Sequence, residues 1–293
     1  MPDPTLMFCI GATKAGTSWL HRYISDHPQC YMRGVKELHY FDALDFNDFD
    51  PWIKDLRGRR DDNLGALDNV SVAMRPLKER VARDADDWLR ILQGRRADDA
   101  AYLAYLVDGL TDQRLVGDFT PAYGLLSAER LTKMAALLPD VRIVYLLRDP
   151  VARMWSNIRM LAKRRSATPY EIGYRSVHIV RRMLIGKEPE VIRRSDYITP
   201  VRNLRAAVAP DKLRFMFYED MFSQPAMDGL CGFLGLDPAP ADFTKRVLAG
   251  PEAEMDDGQY DAMRALLAPQ YDFIEETFDR VPAQWRVKGE GVA

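Results

Sequence analysis

The sequence predicts an α/β fold in which a central parallel sheet of about five strands is covered on both faces by helices. Three observations carry that expectation. Apolar runs of strand length recur at residues 6–10 (LMFCI), 115–119 (LVGDF), 141–147 (VRIVYLL) and 213–218 (LRFMFY). The runs are close to continuous in apolar side chains, the pattern of strands buried on both faces. The stretches between them carry helical periodicity, so strands and helices alternate as parallel crossover units require.

The elements follow in order. The first strand, 6–10, leads through a turn from Gly11 to Gly16 into a helix beginning near Thr17, and Asp26-His27-Pro28 reads as its stop signal. His21 and His27 are assigned to the surface and the C-terminal end of that helix. A short second strand is placed at 30–32. The stretch from 42 to 112 is rich in Asp, Arg and Asn, with helical pieces such as DWLRILQG and AAYLAYLVDGL. Residues 44–110 are therefore expected to form a mostly helical insertion over one edge of the sheet, within a single domain spanning 1–293. After the strands at 115–119 and 141–147, Asp149-Pro150 supplies an N-cap followed by proline at the first helical position, which predicts a helix from 150 to about 163. Further helices are expected near 170–185, 196–208, 226–234 and 259–278.

Charge and composition narrow the function. The chain has 293 residues, with 41 Lys and Arg against 43 Asp and Glu, which gives no case for a nucleic-acid binder. Between 142 and 205, however, fifteen basic residues face five acidic ones, a local excess that suits an anionic ligand or simply solvated helix faces. The run 163–166 (KRRS) has the same two readings, solvation or attraction of an anionic acceptor. Asp3 and the short apolar run at 6–10 do not fit a signal peptide, and no run approaches the length of a membrane span, so a cytoplasmic protein is expected. Cys9, Cys30 and Cys231 lack metal-type spacing and the four histidines are scattered, so no metal is expected.

Four stretches could carry chemistry. "GATKAGTSWL", residues 11–20, keeps the glycine spacing of a phosphate loop, but its lysine is Lys14, inside the loop, and Thr17 and Ser18 follow Gly16 directly. Backbone N–H groups of such a turn and of the helix behind it bind an anion; the alternative is an ordinary strand-to-helix turn. In "YLLRDPVARMWSNI", Arg148 falls at the carboxyl end of a strand and Ser156 lies eight residues on. A guanidinium fork and a hydroxyl converging there suit a phosphate, or else Arg148 and Asp149 form only a helix cap with a salt bridge. "GVKELHYFD" gathers Lys36, Glu37 and His39 after the second strand, where a carboxylate can serve as general base, unless the cluster is a surface turn. "GDFTPAY" places Asp118 and Thr120 at another strand end.

Taken together and in this order, the stretches resemble the sulfotransferase family that uses 3'-phosphoadenosine 5'-phosphosulfate (PAPS). The loop is similar to the family's 5'-phosphosulfate motif and 145–158 to its 3'-phosphate motif. "KELHYFD" and "FTPAY" are similar to segments of the branch that includes the heparan sulfate enzymes, and 213–236 resembles a late strand-and-helix element. The resemblance implies a three-layer, P-loop NTPase-like α/β sandwich. It implies that Lys14, Ala15, Gly16, Thr17 and Ser18 hold the 5'-phosphosulfate, that Arg148 and Ser156 hold the 3'-phosphate, and that Glu37 is the base while Lys14 stabilises the leaving phosphate. Trp19 is either beside the adenine or, as such aromatics more often are, in the core. Lys36, His39, Asp118 and Thr120 are candidates for the acceptor side. Two departures concern the acceptor. Phe119 stands where the heparan-type enzymes carry a lysine, and their Lys-Gly-Arg loop has no clear counterpart, "VKGEG" at 287–291 coming late for it.

The expected reaction is metal-independent transfer to a hydroxyl or amine of a sugar, small metabolite or amphiphile head group, leaving 3',5'-ADP. A P-loop kinase or NTPase would need a lysine after Gly16, a Ser/Thr on Mg²⁺ and an acidic metal partner; EDTA separates it from the sulfotransferase reading. A catalytically silent nucleotide-binding protein would bind 3',5'-ADP and transfer nothing.

Overall fold

The computed structural model describes residues 3–244 and 253–286. Five parallel strands form one sheet: β1 (Thr5–Cys9), β2 (Cys30–Tyr31), β3 (Leu115–Asp118), β4 (Val141–Leu147) and β5 (Leu213–Phe217), in the order β2-β3-β1-β4-β5. In register, Phe8 of the central strand lies between Asp118 of β3 and Ile143 of β4. Leu6 to Cys9 are wholly buried, as expected of a strand with helices on both faces. All five strands point the same way, so the four candidate stretches of the sequence leave the sheet at one edge, the carboxyl edge.

Helix α1 (Thr17–Asp26) follows β1 directly. Between β2 and β3 the chain makes α2 (Tyr40–Phe46), α3 (Asp50–Gly65), α4 (Arg75–Leu92) and α5 (Asp99–Val107), the expected helical stretch beside the β2 edge. It is fastened by apolar packing, with Trp88 of α4 and Tyr102 of α5 against Tyr40, and by one buried arginine, Arg33. Arg33 pairs with Asp84 (3.1 Å), Asp87 (2.9 Å) and Asp108 (2.6 Å) of the insertion.

α6 (Ala128–Ala135) precedes β4, and α7 (Pro150–Arg165) follows it. The expected cap of α7 is in place: Asp149 Oδ1 accepts from the Ala152 N–H at 2.7 Å, and Lys163, Arg164 and Arg165 end the helix, where cations suit its dipole. Next come α8 (Ile172–Leu184), α9 (Pro189–Ser195) and α10 (Ile198–Ala207). Beyond β5 lie α11 (Tyr218–Met221), α12 (Gln224–Leu234), α13 (Asp257–Leu266) and α14 (Ala268–Thr277).

Two details differ from the sequence reading. The single helix expected over 259–278 is two, α13 and α14, because Pro269 has no N–H to continue the ladder and its ring crowds the preceding turn. α6 and α9 are additional elements of eight and seven residues, too short for periodicity to mark. "VKGEG" lies outside the described residues.

Candidate active site

The turn after β1 is shaped by two glycines. A Cβ at Gly11 would lie 2.5 Å from the Tyr145 ring, and one at Gly16 would lie 2.7 Å from Tyr218. Gly16 also has φ +91°, a left-handed conformation that costs glycine little. The chain between them is therefore drawn tight, with the Ala15 N–H bonded to the Ala12 carbonyl at 3.1 Å. No side chain among the described residues caps α1, so the N–H groups of its first turn are available to an anion at the mouth of the loop. Ala15 and Thr17 are buried in the turn.

Cations gather around this turn. Arg148, buried, donates from Nη1 to the Lys14 carbonyl at 3.3 Å, and its guanidinium stands 4.6 Å over the Tyr218 ring. Its backbone is fixed by Tyr197, whose hydroxyl accepts from the Arg148 N–H (2.9 Å) and donates to the Arg148 carbonyl (2.7 Å). Ser156, also buried, lies on α7 with Arg159 three residues on. Burial first, and then the charges of Arg148, Arg159, Arg164 and Lys36, push the Lys14 ammonium below the usual lysine range. Among the described residues no carboxylate pairs with Lys14. Mutual repulsion of this kind is relieved by an anion, so these residues fit a phosphorylated nucleotide.

Lys36 connects the loop to the second cluster, its Nζ lying 3.0 Å from Ser18 Oγ and 3.2 Å from Glu37 Oε1. Glu37 and His39 both have positive φ (63° and 52°), uncommon for such residues and tolerated where surrounding contacts impose it. Those contacts are explicit. The Leu38 N–H donates to Thr120 Oγ1, the Leu38 carbonyl accepts from Trp88 Nε1, and the Tyr40 N–H donates to the Tyr123 hydroxyl, each at 2.9 Å. His39 stacks on Trp52 with ring centres 3.4 Å apart. Its Nδ1 is 2.7 Å from Asp42 Oδ2 and its Nε2 is 3.7 Å from Glu37 Oε2. Burial alone would lower the His39 pKa, but Asp42 and Glu37 outweigh it and raise it. Burial likewise raises that of Glu37, and the nearby His39 ring and the Lys36 charge overcome this, holding it at about 2. Glu37 is thus ionised at neutral pH, and its side chain is 37% exposed.

Asp118 and Thr120, considered for the acceptor side, lie beneath it instead, 1% and 0% exposed. Asp118 accepts hydrogen bonds from Thr120 (2.6 Å), Tyr102 (3.0 Å) and Tyr123 (3.0 Å). They reach the site only through Leu38 and Tyr40, whose backbone they position. Burial raises the Asp118 carboxyl to about 6 against the hydrogen bonds that lower it. The native state therefore holds this proton above the ordinary value of 3.8, and the group's contribution to stability falls as pH rises from there to about 6. By linkage the loss amounts to about 3 kcal/mol. Urea unfolding at pH 4 and pH 6.5 should show Asp118→Asn gaining on the parent across that interval; a constant difference between the two proteins would exclude a buried, proton-holding Asp118.

Trp19 packs in the core, its indole against Tyr23, Phe222 and Phe243. His21 is half-buried at the surface of α1. It packs edge-on to the buried Phe119, 5.0 Å between centres, and burial holds its pKa down at about 4. His27 is buried, with Nε2 3.0 Å from the Asp237 carbonyl. Four residues that the sequence reading did not single out stand at the site: Arg159, Tyr218, Tyr197 and Arg194, whose Nη1 is 3.4 Å from Thr13 Oγ1 of the loop. Tyr218 had a usable signal, its position at the carboxyl end of β5. Arg194 had none, since only the packing of α9 brings it there. Among the described residues, no group of three or more His, Cys, Asp or Glu side chains converges as a metal site, and no helix is long and apolar enough to cross a membrane.

A family model described as "Sulfotransferase family" matches residues 7–240 of the chain. Comparison with curated proteins gives no match. Among solved structures, the chain is similar to a sulfotransferase from Alicyclobacillus acidocaldarius, at 20% identity and a TM-score of 0.61, over 98% of this chain and 100% of that one. It is also similar to the sulfotransferase domain of the Synechococcus PCC 7002 olefin synthase, at 21% identity and a TM-score of 0.51, over 96% and 97% of the two chains. At these identities the likeness concerns the fold alone.

Proposed function

The chain belongs to the sulfotransferase family, and from that premise we propose that it transfers a sulfuryl group from PAPS to a hydroxyl or amine of a small-molecule or carbohydrate acceptor. The observation that carries the donor reading is the cationic setting of Lys14, inside a tight loop and under the charges of Arg148, Arg159 and Arg164, with no carboxylate among the described residues paired to it. The donor supplies an activated sulfur and a leaving group, 3',5'-ADP. Lys14 and the first-turn N–H groups of α1 hold the 5'-phosphosulfate, and Lys14 meets the charge that grows on the bridging oxygen. Arg148 and Ser156 hold the 3'-phosphate, Arg148 being kept in place by Tyr218 and Tyr197. Lys36 spans from Ser18 to Glu37 and so sets the base against the loop.

Glu37 accepts the proton of the attacking hydroxyl or amine. A carboxylate held at about 2 is ready at any physiological pH but is a weak base, so it takes the proton late, as the attacking atom becomes acidic in the transition state. Glu37→Gln is expected to lower kcat by about 10²- to 10⁴-fold while 3',5'-ADP binds as in the parent. Steady-state rates together with calorimetric titration of 3',5'-ADP check this, and a near-parental rate would move the base to His39. Incubation with ³⁵S-labelled PAPS and a cell extract, with and without EDTA, tests the whole reading. A labelled product that survives EDTA is expected, and no labelled product in any extract would sink it.

A further inference from the structure

Among the described residues, Arg194 is a cation without a counter-ion of its own. It sits on α9, a helix packed against α7 and α8. The adjacent Arg193 turns outward to Glu190, 2.8 Å away. Arg194 turns inward, and its contact with the loop is the 3.4 Å approach of Nη1 to Thr13 Oγ1. Three carboxylates act on it electrostatically, Glu190, Asp42 and Glu37, and each is engaged elsewhere: Glu190 with Arg193, Asp42 with His39 at 2.7 Å, and Glu37 with Lys36 at 3.2 Å. Among the described residues none forms an ion pair with Arg194. Partial burial pushes its guanidinium below the usual arginine range, and one long hydroxyl contact is poor compensation for a partly desolvated cation.

Its position is also distinct. The charges that act on Lys14 are Arg148, Arg159, Arg164 and Lys36, whereas Arg194 is felt with Glu37 and Asp42. It meets the loop at Thr13, within reach of the charges of the base cluster. We propose that Arg194 binds an oxyanion on the base side of the transfer point, either the sulfuryl group in transit or an anionic group carried by the acceptor beside its reacting hydroxyl or amine. The planar fork of donors suits such a group. This rests on the sulfotransferase reading above.

The test uses 3',5'-ADP, PAPS and inorganic sulfate as probes, with calorimetry on the parent, Arg194→Ala, Arg194→Lys and Thr13→Val. All four proteins are expected to bind 3',5'-ADP within about twofold of one another, while Arg194→Ala binds sulfate in the 3',5'-ADP complex at least about tenfold more weakly than the parent, the size of a lost charged hydrogen bond. Arg194→Lys should recover part of the loss, and Thr13→Val should keep sulfate affinity close to the parent's. If the oxyanion is the donor's sulfuryl group, Arg194→Ala also weakens PAPS relative to 3',5'-ADP. If it belongs to the acceptor, PAPS affinity is kept and only sulfate binding to the PAPS complex falls. Sulfate affinity unchanged in Arg194→Ala, or an equal loss of 3',5'-ADP and sulfate that would make Arg194 a mere prop of the loop, overturns the proposal alone. A parent that fails to bind 3',5'-ADP overturns the donor reading and the proposal with it.

Discussion

Lys14→Ala is expected to lower kcat by about 10²- to 10³-fold, roughly 3 to 4 kcal/mol of transition-state stabilisation, with a smaller effect on 3',5'-ADP affinity. The asymmetry follows from where charge changes during transfer. The phosphates of the nucleotide carry their charge before and after the reaction, and Arg148 with its neighbours can hold them throughout. Charge on the bridging oxygen develops only as the bond to sulfur lengthens, and a donor aimed there acts on kcat and not on ground-state binding. In the proposed reading Lys14 is that donor. Its φ of 69° turns the residue at the crest of the loop, between the two glycines that bring the turn against Tyr145 and Tyr218.

Lys14 carries a pH consequence with the same origin. Because burial and neighbouring cations lower its pKa below the usual 10.5, the free enzyme loses this charge earlier on the alkaline side than an ordinary lysine would. The alkaline limb of kcat/KM should therefore fall below that value and vanish in Lys14→Ala. Rates from ³⁵S transfer across pH, with calorimetry of 3',5'-ADP, settle the matter; a loss of nucleotide affinity as large as the loss in kcat would make Lys14 a ground-state ligand instead.

How much of this was legible in the sequence depends on the kind of signal. The five strands were, because continuous apolar runs such as VRIVYLL have few other uses in a folded chain. The meeting of the four stretches at one edge followed from the parallel sheet alone. Asp118 was misread because a carboxylate at a strand end looks the same whether it faces solvent or, as here, three hydroxyls in the interior. Trp19 was ambiguous for the mirror reason, an aromatic being equally at home against a base or against Tyr23 and Phe243. Arg194 was invisible, since its significance lies in which carboxylates are already engaged, and that is a property of the assembled site.

Arg33→Met is expected to cost about 3 to 5 kcal/mol of stability, the usual consequence of removing one member of a buried ion pair. The reason lies in its partners. Asp108 and Asp87 have access to water, so they lose little when the guanidinium goes. Asp84 is 4% exposed on its side chain; it also accepts from the Gly34 N–H at 2.6 Å, and the half-exposed Arg80, 3.7 Å away, is a longer pairing that compensates its charge only in part. The double variant Arg33→Met/Asp84→Asn removes the stranded charge and keeps an acceptor for Gly34, so urea unfolding should show it recovering most of the loss. If the double variant is no more stable than the single one, the packing of Arg33 on Tyr105, 4.3 Å from the ring centre, is what mattered. The effect should also reach the site. Arg33 anchors the start of the segment whose next residues are Lys36, Glu37 and His39, and Leu38 is pinned further along by Thr120 and Trp88. Loosening the first anchor while the second holds lets Glu37 swing without disturbing the loop, so the folded fraction of Arg33→Met should show reduced kcat with parental 3',5'-ADP affinity. The insertion would then act on catalysis through the base and not through the nucleotide.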